Sequence, residues 1–250
     1  QLQGEDDQII FWDHTTMRRT GSVSSEASGS HIGGVGSLAF SESGDLMVSI
    51  GLEETHNMTV WGLERDSKSG AVIAATRYQQ RPIGKFEILG LSFGQDGGLV
   101  TCGEKHTTFW SFGDNPVLTC EGRPALFARH STLDSTDVLC AVTIPLPPDE
   151  AEAAGATHVT LGGVSDGQVY VFVGRDQVHR FHGHVAGGVH CMQRCQFRGA
   201  TFITAGEEGT VRLWSYNLKR HKAVLLMEVS YAAAVIPGTP LVCTSLHVLN

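Results

Sequence analysis

Ile203-Thr204-Ala205-Gly206-Glu207-Glu208-Gly209-Thr210-Val211-Arg212-Leu213-Trp214 holds the pattern that decides the fold. An aliphatic residue, a Ser or Thr, any residue and a Gly lead through a short turn into a strand ending in a large aromatic. Such β-branched runs favour the pleated strand, glycine stops them and supplies positive φ in the turn, and the second run returns antiparallel. The same pattern recurs at Val48-Ser49-Ile50-Gly51 leading to Trp61, at Val100-Thr101-Cys102-Gly103 leading to Trp110, and at Val159-Thr160-Leu161-Gly162 leading to Phe172. A partial copy ends in Phe11-Trp12-Asp13. Upstream of three copies lies another strand, at Val35 to Phe40, Ile88 to Phe93 and Val189 to Arg194. A fourth run follows downstream, as at Ala71 to Arg77 or Ala223 to Glu228.

Four short strands per unit, repeated in tandem, is the layout of β-propeller blades, and the copy beginning Gly183-His184 and ending Leu213-Trp214 resembles a WD40 blade. The expected fold is therefore all-β, a WD40-type β-propeller, either an incomplete ring or part of a larger tandem propeller. The expected units are a partial blade over 1–30, blades over 31–80, 81–122, 123–183 and 184–230, and a partial blade over 231–250. Both chain ends read as cut edges. Ile144-Pro145-Leu146-Pro147-Pro148-Asp149-Glu150 and the residues to Thr157 stretch the third interval. Three prolines do not fit a central strand, so this segment is expected to be an inserted surface loop. No long amphipathic helical stretch separates the strands, which disfavours a parallel α/β fold.

The bulk composition bounds the function. Of 250 residues, 41% are hydrophobic and 18% charged, an ordinary globular balance, while the 30 glycines are spread as turn residues. A net charge of −8 argues against nucleic acid, since phosphate binding needs a concentrated basic surface. The one basic cluster, Lys219-Arg220-His221-Lys222, reads as a solvated turn between strands. No apolar run of roughly 18 residues suggests a membrane span, and the acidic start does not read as a signal peptide. The 6 cysteines are scattered without a CxxC pair and read as reduced, mostly buried thiols of an intracellular protein.

Neither a catalytic residue, a cofactor-binding motif nor a metal site is expected. His182, His184, His190, Cys191 and Cys195 cluster in sequence, but His190 and Cys191 are neighbours on a strand and so point to opposite faces. No GxxxxGK[ST] or strand-linked GxGxxG occurs to cradle a phosphate. The acidic pairs Asp6-Asp7, Glu53-Glu54 and Glu207-Glu208 read as solvated turn charge. WD40 blades often tie a loop His, a strand Ser or Thr, a turn Asp and the strand-end Trp into a buried hydrogen-bond chain. The resemblance puts His184, Thr204, Glu208 and Trp214 in those places, with Glu for Asp expected to leave the chain incomplete or bridged by water. Candidate partner contacts are Arg18 and Arg19, on a strand-to-loop connection, and Arg81, before Pro82 in a linker between blades.

Several segments together resemble the echinoderm microtubule-associated protein-like family. They are His31-Ile32-Gly33-Gly34-Val35-Gly36-Ser37-Leu38-Ala39-Phe40-Ser41, Glu53-Glu54-Thr55-His56-Asn57 before Thr59-Val60-Trp61, and Gly187-Gly188-Val189-His190-Cys191-Met192. Leu99-Val100-Thr101-Cys102-Gly103-Glu104-Lys105-His106-Thr107-Thr108-Phe109-Trp110 adds a Cys-Gly-x-x-His-x-x-x-Trp variant that is unusual for WD40 blades. The resemblance runs in order along nearly the whole chain. It implies a non-catalytic cytoskeletal scaffold in the cytoplasm, on microtubules or at the cilium, with tubulin or microtubule-associated proteins as partners. The alternative is a general WD40 adaptor in a ubiquitin-ligase, trafficking or signalling complex.

Overall fold

Valine is the commonest residue in the strands of this chain, and glycine-bearing turns close most of the hairpins between them. The computed structural model describes residues 8–24, 31, 33–94, 97–112, 120–126, 137–231 and 243. The chain forms two compact units, residues 1–88 with 111–121, and residues 89–110 with 122–250.

The first unit holds a hairpin and a sheet. In the hairpin, β1 (Gln8–Asp13) pairs antiparallel with β2 (Arg18–Ser24). The sheet runs in the order β3 (Val35–Phe40), β4 (Leu46–Gly51), β5 (Asn57–Arg65), β6 (Val72–Pro82), every neighbour antiparallel. Strand alternation sends Ile9 and Phe11 of β1 into a core with Met47 and Trp61, while Ile10 and Trp12 stay exposed. Gly21 lets β2 lie directly on β6, because a β-carbon there would overlap the Ile73 carbonyl.

The second unit holds three sheets, apart from a few strand-end residues that fall in the first. One consists of β7 (Ile88–Phe93), β8 (Leu99–Gly103), β9 (His106–Phe112) and β10 (Cys120–Pro124). The next consists of β11 (Val138–Pro145), β12 (His158–Val164), β13 (Gln168–Val173) and β14 (Asp176–His182). The last consists of β15 (Val189–Phe197), β16 (Ala200–Gly206), β17 (Thr210–Asn217) and β18 (Lys222–Ser230). Each is a four-stranded meander in chain order. One core built from Val142, Leu161, Val171, Phe202 and Trp214 joins the last two. The first strand carries an irregularity at the same place in three sheets, at Val35/Ser37, Val138/Cys140 and Val189/Cys191. The repetition therefore reaches the backbone, not only the side chains. Among the described residues, no helix is long and apolar enough to cross a membrane.

The proline-rich insertion is more than the surface loop expected from its sequence. It contains a short helix, α1 (Pro148–Ala154), with proline in its first turn, Asp149 and Glu150 at the positive end of its dipole, and Gly155 in the left-handed region to end it. Glu150 is buried at 4% exposure. Its carboxylate accepts a hydrogen bond from the Leu218 backbone N–H at 2.6 Å and one from Asn217 Nδ2 at 2.5 Å. Lys219 Nζ meets Asp149 at 2.8 Å. The insertion of the β11–β14 sheet thereby clips the β17–β18 turn of the next one. Glu150→Ala strands a buried Leu218 N–H and should cost about 1–3 kcal/mol in urea unfolding. Amide exchange at Leu218 should speed up with it. Unchanged protection at Leu218 would show that the clip contributes nothing.

Candidate functional site

The repeat places a small hydroxyl residue on the second strand of a sheet and an indole on the third. In the first sheet, Trp61 Nε1–H donates to Ser49 Oγ at 2.8 Å, and Ser49 Oγ lies 2.7 Å from His31 Nε2. All three side chains are buried. The indole can only donate, so Ser49 accepts from it and passes its own proton to Nε2, which leaves the imidazole proton on Nδ1. That Nδ1 sits 3.6 Å from Glu53 Oε1, whose carboxylate also accepts the Asn57 backbone N–H at 2.7 Å.

The last sheet repeats the chain with closer contacts. Trp214 Nε1–H donates to Thr204 Oγ1 at 2.9 Å, Thr204 Oγ1 lies 2.9 Å from His184 Nε2, and His184 Nδ1 lies 2.8 Å from Glu208 Oε1. The sequence-stated quartet of His184, Thr204, Glu208 and Trp214 thus meets in one place. Glutamate in the aspartate position leaves neither a gap nor a water bridge; it reaches His184 directly. It also accepts hydrogen bonds from Thr210 Oγ1 at 2.8 Å and from the backbone N–H groups of Val185 and Ala186, and it pairs with Arg212 at 2.8 Å. Burial alone would raise the Glu208 pKa, but bonds from Thr210, His184 and Val185, with the Arg212 charge, bring it down to about 2. Glu53 and Glu208 are therefore each partly sheltered at 14% and 11% side-chain exposure, not the solvated turn charges that their sequence pairs suggested.

The second sheet reaches the same arrangement by another route. Trp110 Nε1–H donates to Thr101 Oγ1 at 2.9 Å, and Thr101 Oγ1 lies 2.6 Å from His106 Nε2. Here the histidine is the first residue of β9, just beyond Lys105 in the left-handed region, instead of coming from a loop upstream of the sheet. This is the Cys-Gly-x-x-His-x-x-x-Trp variant seen in the sequence. The third sheet has dropped this bond chain. Its register pairs Cys140 with Gly163 where the last sheet pairs Cys191 with Ala205. The residue matching Thr204 is therefore Gly162, not Thr160, and the sequence alignment of this copy is two residues out of phase. Phe172 has no N–H to give, and a hydroxyl at Gly162 would have no donor to answer. Thr160 instead meets Thr143 at 3.3 Å.

Burial keeps both chain histidines neutral: desolvation lowers the pKa of His31 and of His184 against the pull of Glu53 and Glu208 respectively. An unfolded histidine titrates near 6.5, so on acidification the unfolded state takes up these protons first. Stability should fall as pH drops through 6.5 toward the lowered native values. A second loss should follow between about 4.5 and about 2, where Glu208 is protonated when unfolded but still ionised when folded. Urea midpoints measured from pH 7 to pH 3 check this; a midpoint that rises on acidification would contradict it.

The three contact candidates are not gathered into one patch. Arg18 opens β2 opposite Asp13, rather than lying on a strand-to-loop connection. Arg19 is exposed on the same strand, and its guanidinium bonds Ser22 and, at 3.3 Å, Gln8. Arg81 is not in a linker; it is a half-buried residue of β6 opposite Met58, and Pro82 closes that strand on the open edge of its sheet, where no N–H is needed. The direct reach of Glu208 to His184 and the docked α1 were not expected from the sequence. A Pro-Pro-Asp-Glu start with a Gly stop was the available signal for the helix.

Residues 175–215 match the WD40 family, described as WD domain, G-beta repeat. This segment is a WD40 repeat. It begins in the β13–β14 turn and ends within β17, so it takes the last strand of one sheet and the first three of the next. The histidine, threonine and tryptophan of the bonded chain all lie inside it. WD40 repeats build protein–protein interaction scaffolds and are generally non-catalytic modules. The chemistry agrees with a structural role for these side chains, since the His184 and Thr204 side chains are sealed from solvent and open to no substrate.

Proposed function

We propose that this chain is a WD40 scaffold of the microtubule cytoskeleton, related to the echinoderm microtubule-associated protein-like family, and that it holds tubulin or microtubule-associated proteins through its loops without performing chemistry. The observation that carries the reading is the second sheet. The family-like Cys102-Gly103-Glu104-Lys105-His106 turn supplies the histidine for Thr101 and Trp110 from within the sheet. The variant is a working substitute for the usual loop histidine rather than a degenerate copy. That favours descent from a lineage with this blade over a chance assembly of generic repeats. The place of action in this reading is the cytoplasm, on microtubules or at the axoneme. A chain of net charge −8 has no general attraction to an acidic tubulin surface, so contact rests on shape and local charge.

Co-sedimentation of the 250-residue chain with microtubules, beside a pull-down with soluble tubulin, tests the proposal. Saturable binding in either assay supports it. Absence from both overturns it, and recovery of ubiquitin-ligase or trafficking subunits instead supports the adaptor reading.

A further inference from the structure

In the neighbouring β15–β18 sheet a tight turn at 198–199 joins the first strand to the second. Among the described residues, the β11–β14 sheet is the one with a helix between its first and second strands. Between α1, the edge of β13–β14 and the β17–β18 turn lies a cavity of about 280 Å³. Ala153, Ala154, Val173, Val178 and Leu218 make it apolar, and Lys219 and His221 stand on its rim. Val178 is 39% exposed, so the apolar wall is open to solvent.

Successive antiparallel strands put the turns after first and third strands at one end of a sheet. The segments 145–158, 173–176, 197–200 and 217–222 therefore share an end, and with them come Arg175, Arg198, Lys219, Arg220 and Lys222. Lys219 is held by Asp149, but Arg220 and Lys222 are exposed and have no ion-pair partner among the described residues. Glu150 faces inward with both carboxylate oxygens bonded, which leaves Glu152 and Asp176 as the outward acids that offset them. On a chain of net charge −8, the Lys219–Lys222 turn beside this open apolar pocket is a local concentration of positive charge.

We propose that this pocket is a docking site for an acidic peptide segment with one aliphatic anchor residue. The inference rests on the scaffold reading and adds to it a surface and a partner chemistry. The anchor occupies the apolar floor, which supplies the binding energy. The flanking carboxylates meet Arg220 and Lys222, which steer the encounter and reject basic segments. Nothing in the packing of the two sheets requires this opening, because Asp149 and Glu150 already join α1 to the neighbouring turn.

The probe is a fluorescently labelled peptide with a single leucine among glutamates, titrated with the 250-residue chain and read by anisotropy. Saturable binding is expected, weakening with salt. Joint Arg220→Glu and Lys222→Glu substitution should weaken it at least about tenfold, equal to about 1.4 kcal/mol. Ala153→Trp, which fills the pocket from the exposed face of α1, should abolish it. Both variants change exposed residues, and unaltered thermal unfolding confirms that they fold. The site is overturned by absence of saturable binding, by full binding of the leucine-to-alanine peptide or the charge-reversed chain, or by equal affinity for an oligonucleotide of the same charge. Peptide binding without any tubulin or microtubule binding would sink the cytoskeletal assignment and leave the pocket standing.

Discussion

Trp61→Ala is expected to lower the stability of the chain by about 3–5 kcal/mol, the range for removing a fully buried large aromatic. Trp61 is 1% exposed and packs with Ile9, Phe11 and Met47. Its loss opens a cavity in that core and removes the only donor to Ser49 on the indole side. Trp61→Phe separates the two effects. It keeps most of the buried area and drops the N–H, so it should cost about 1–2 kcal/mol, the scale of one buried hydrogen bond. Urea unfolding followed by circular dichroism measures both. Equal losses in the two variants would mean that the bond chain, not the packing, governs the core. A negligible loss in Trp61→Ala would mean that the core around β1 contributes little to global stability.

Glu208→Ala should cost about 2–4 kcal/mol, somewhat below the 3–5 kcal/mol of breaking a fully buried ion pair because a tenth of the side chain remains wet. The substitution leaves the Val185 and Ala186 amides and part of the Arg212 guanidinium without an acceptor, and leaves His184 Nδ1 only its longer 3.3 Å contact with Thr210 Oγ1. Arg212 keeps Glu228 at 2.7 Å, which limits the penalty on its side. Glu208→Gln retains the shape and loses the charge, so it should fall between wild type and alanine. It should also flatten the pH dependence between about 4.5 and about 2, the window set by this carboxylate. Calorimetry across that range gives the comparison, and an unchanged acid limb in Glu208→Gln would assign the loss to other carboxylates.

The strands were legible in the sequence because each depends on local alternation and a turn glycine, and both act over a few residues. Ile203 to Trp214 carries nearly all of its own structure in this way. The alignment of the third copy failed for the opposite reason. Val159-Thr160-Leu161-Gly162 fits the local pattern better than Leu161-Gly162-Gly163-Val164 does, and only pairing with Val138 and Cys140 selects the frame. Strand periodicity of two makes a shift of two residues invisible to alternation. Glu53 and Glu208 were misread because burial in a turn is set by what folds over it. Neither turn announces that His31 or His184 will arrive from upstream. The helix at Pro148–Ala154 was overlooked because three prolines were weighed as strand breakers and not as a helix start. Arg81 shows the same bias: the proline after it suggested a linker, yet an edge strand tolerates proline at its end.

The WD40 match covers β14 with β15, β16 and β17, while the sheets group β11 to β14 and β15 to β18. Inheritance and folding therefore cut the chain at different joints. Deleting one copy of the repeat would not excise a blade; it would strip an outer strand from one sheet and three inner strands from its neighbour. The β11–β14 sheet is completed by a strand that belongs to the matched repeat. The molecule should accordingly resist shortening by whole repeats unless the cut is moved by one strand, to the loop at 183–188. Unfolding of the third and fourth sheets should proceed as one event, with their amide protons released together rather than sheet by sheet.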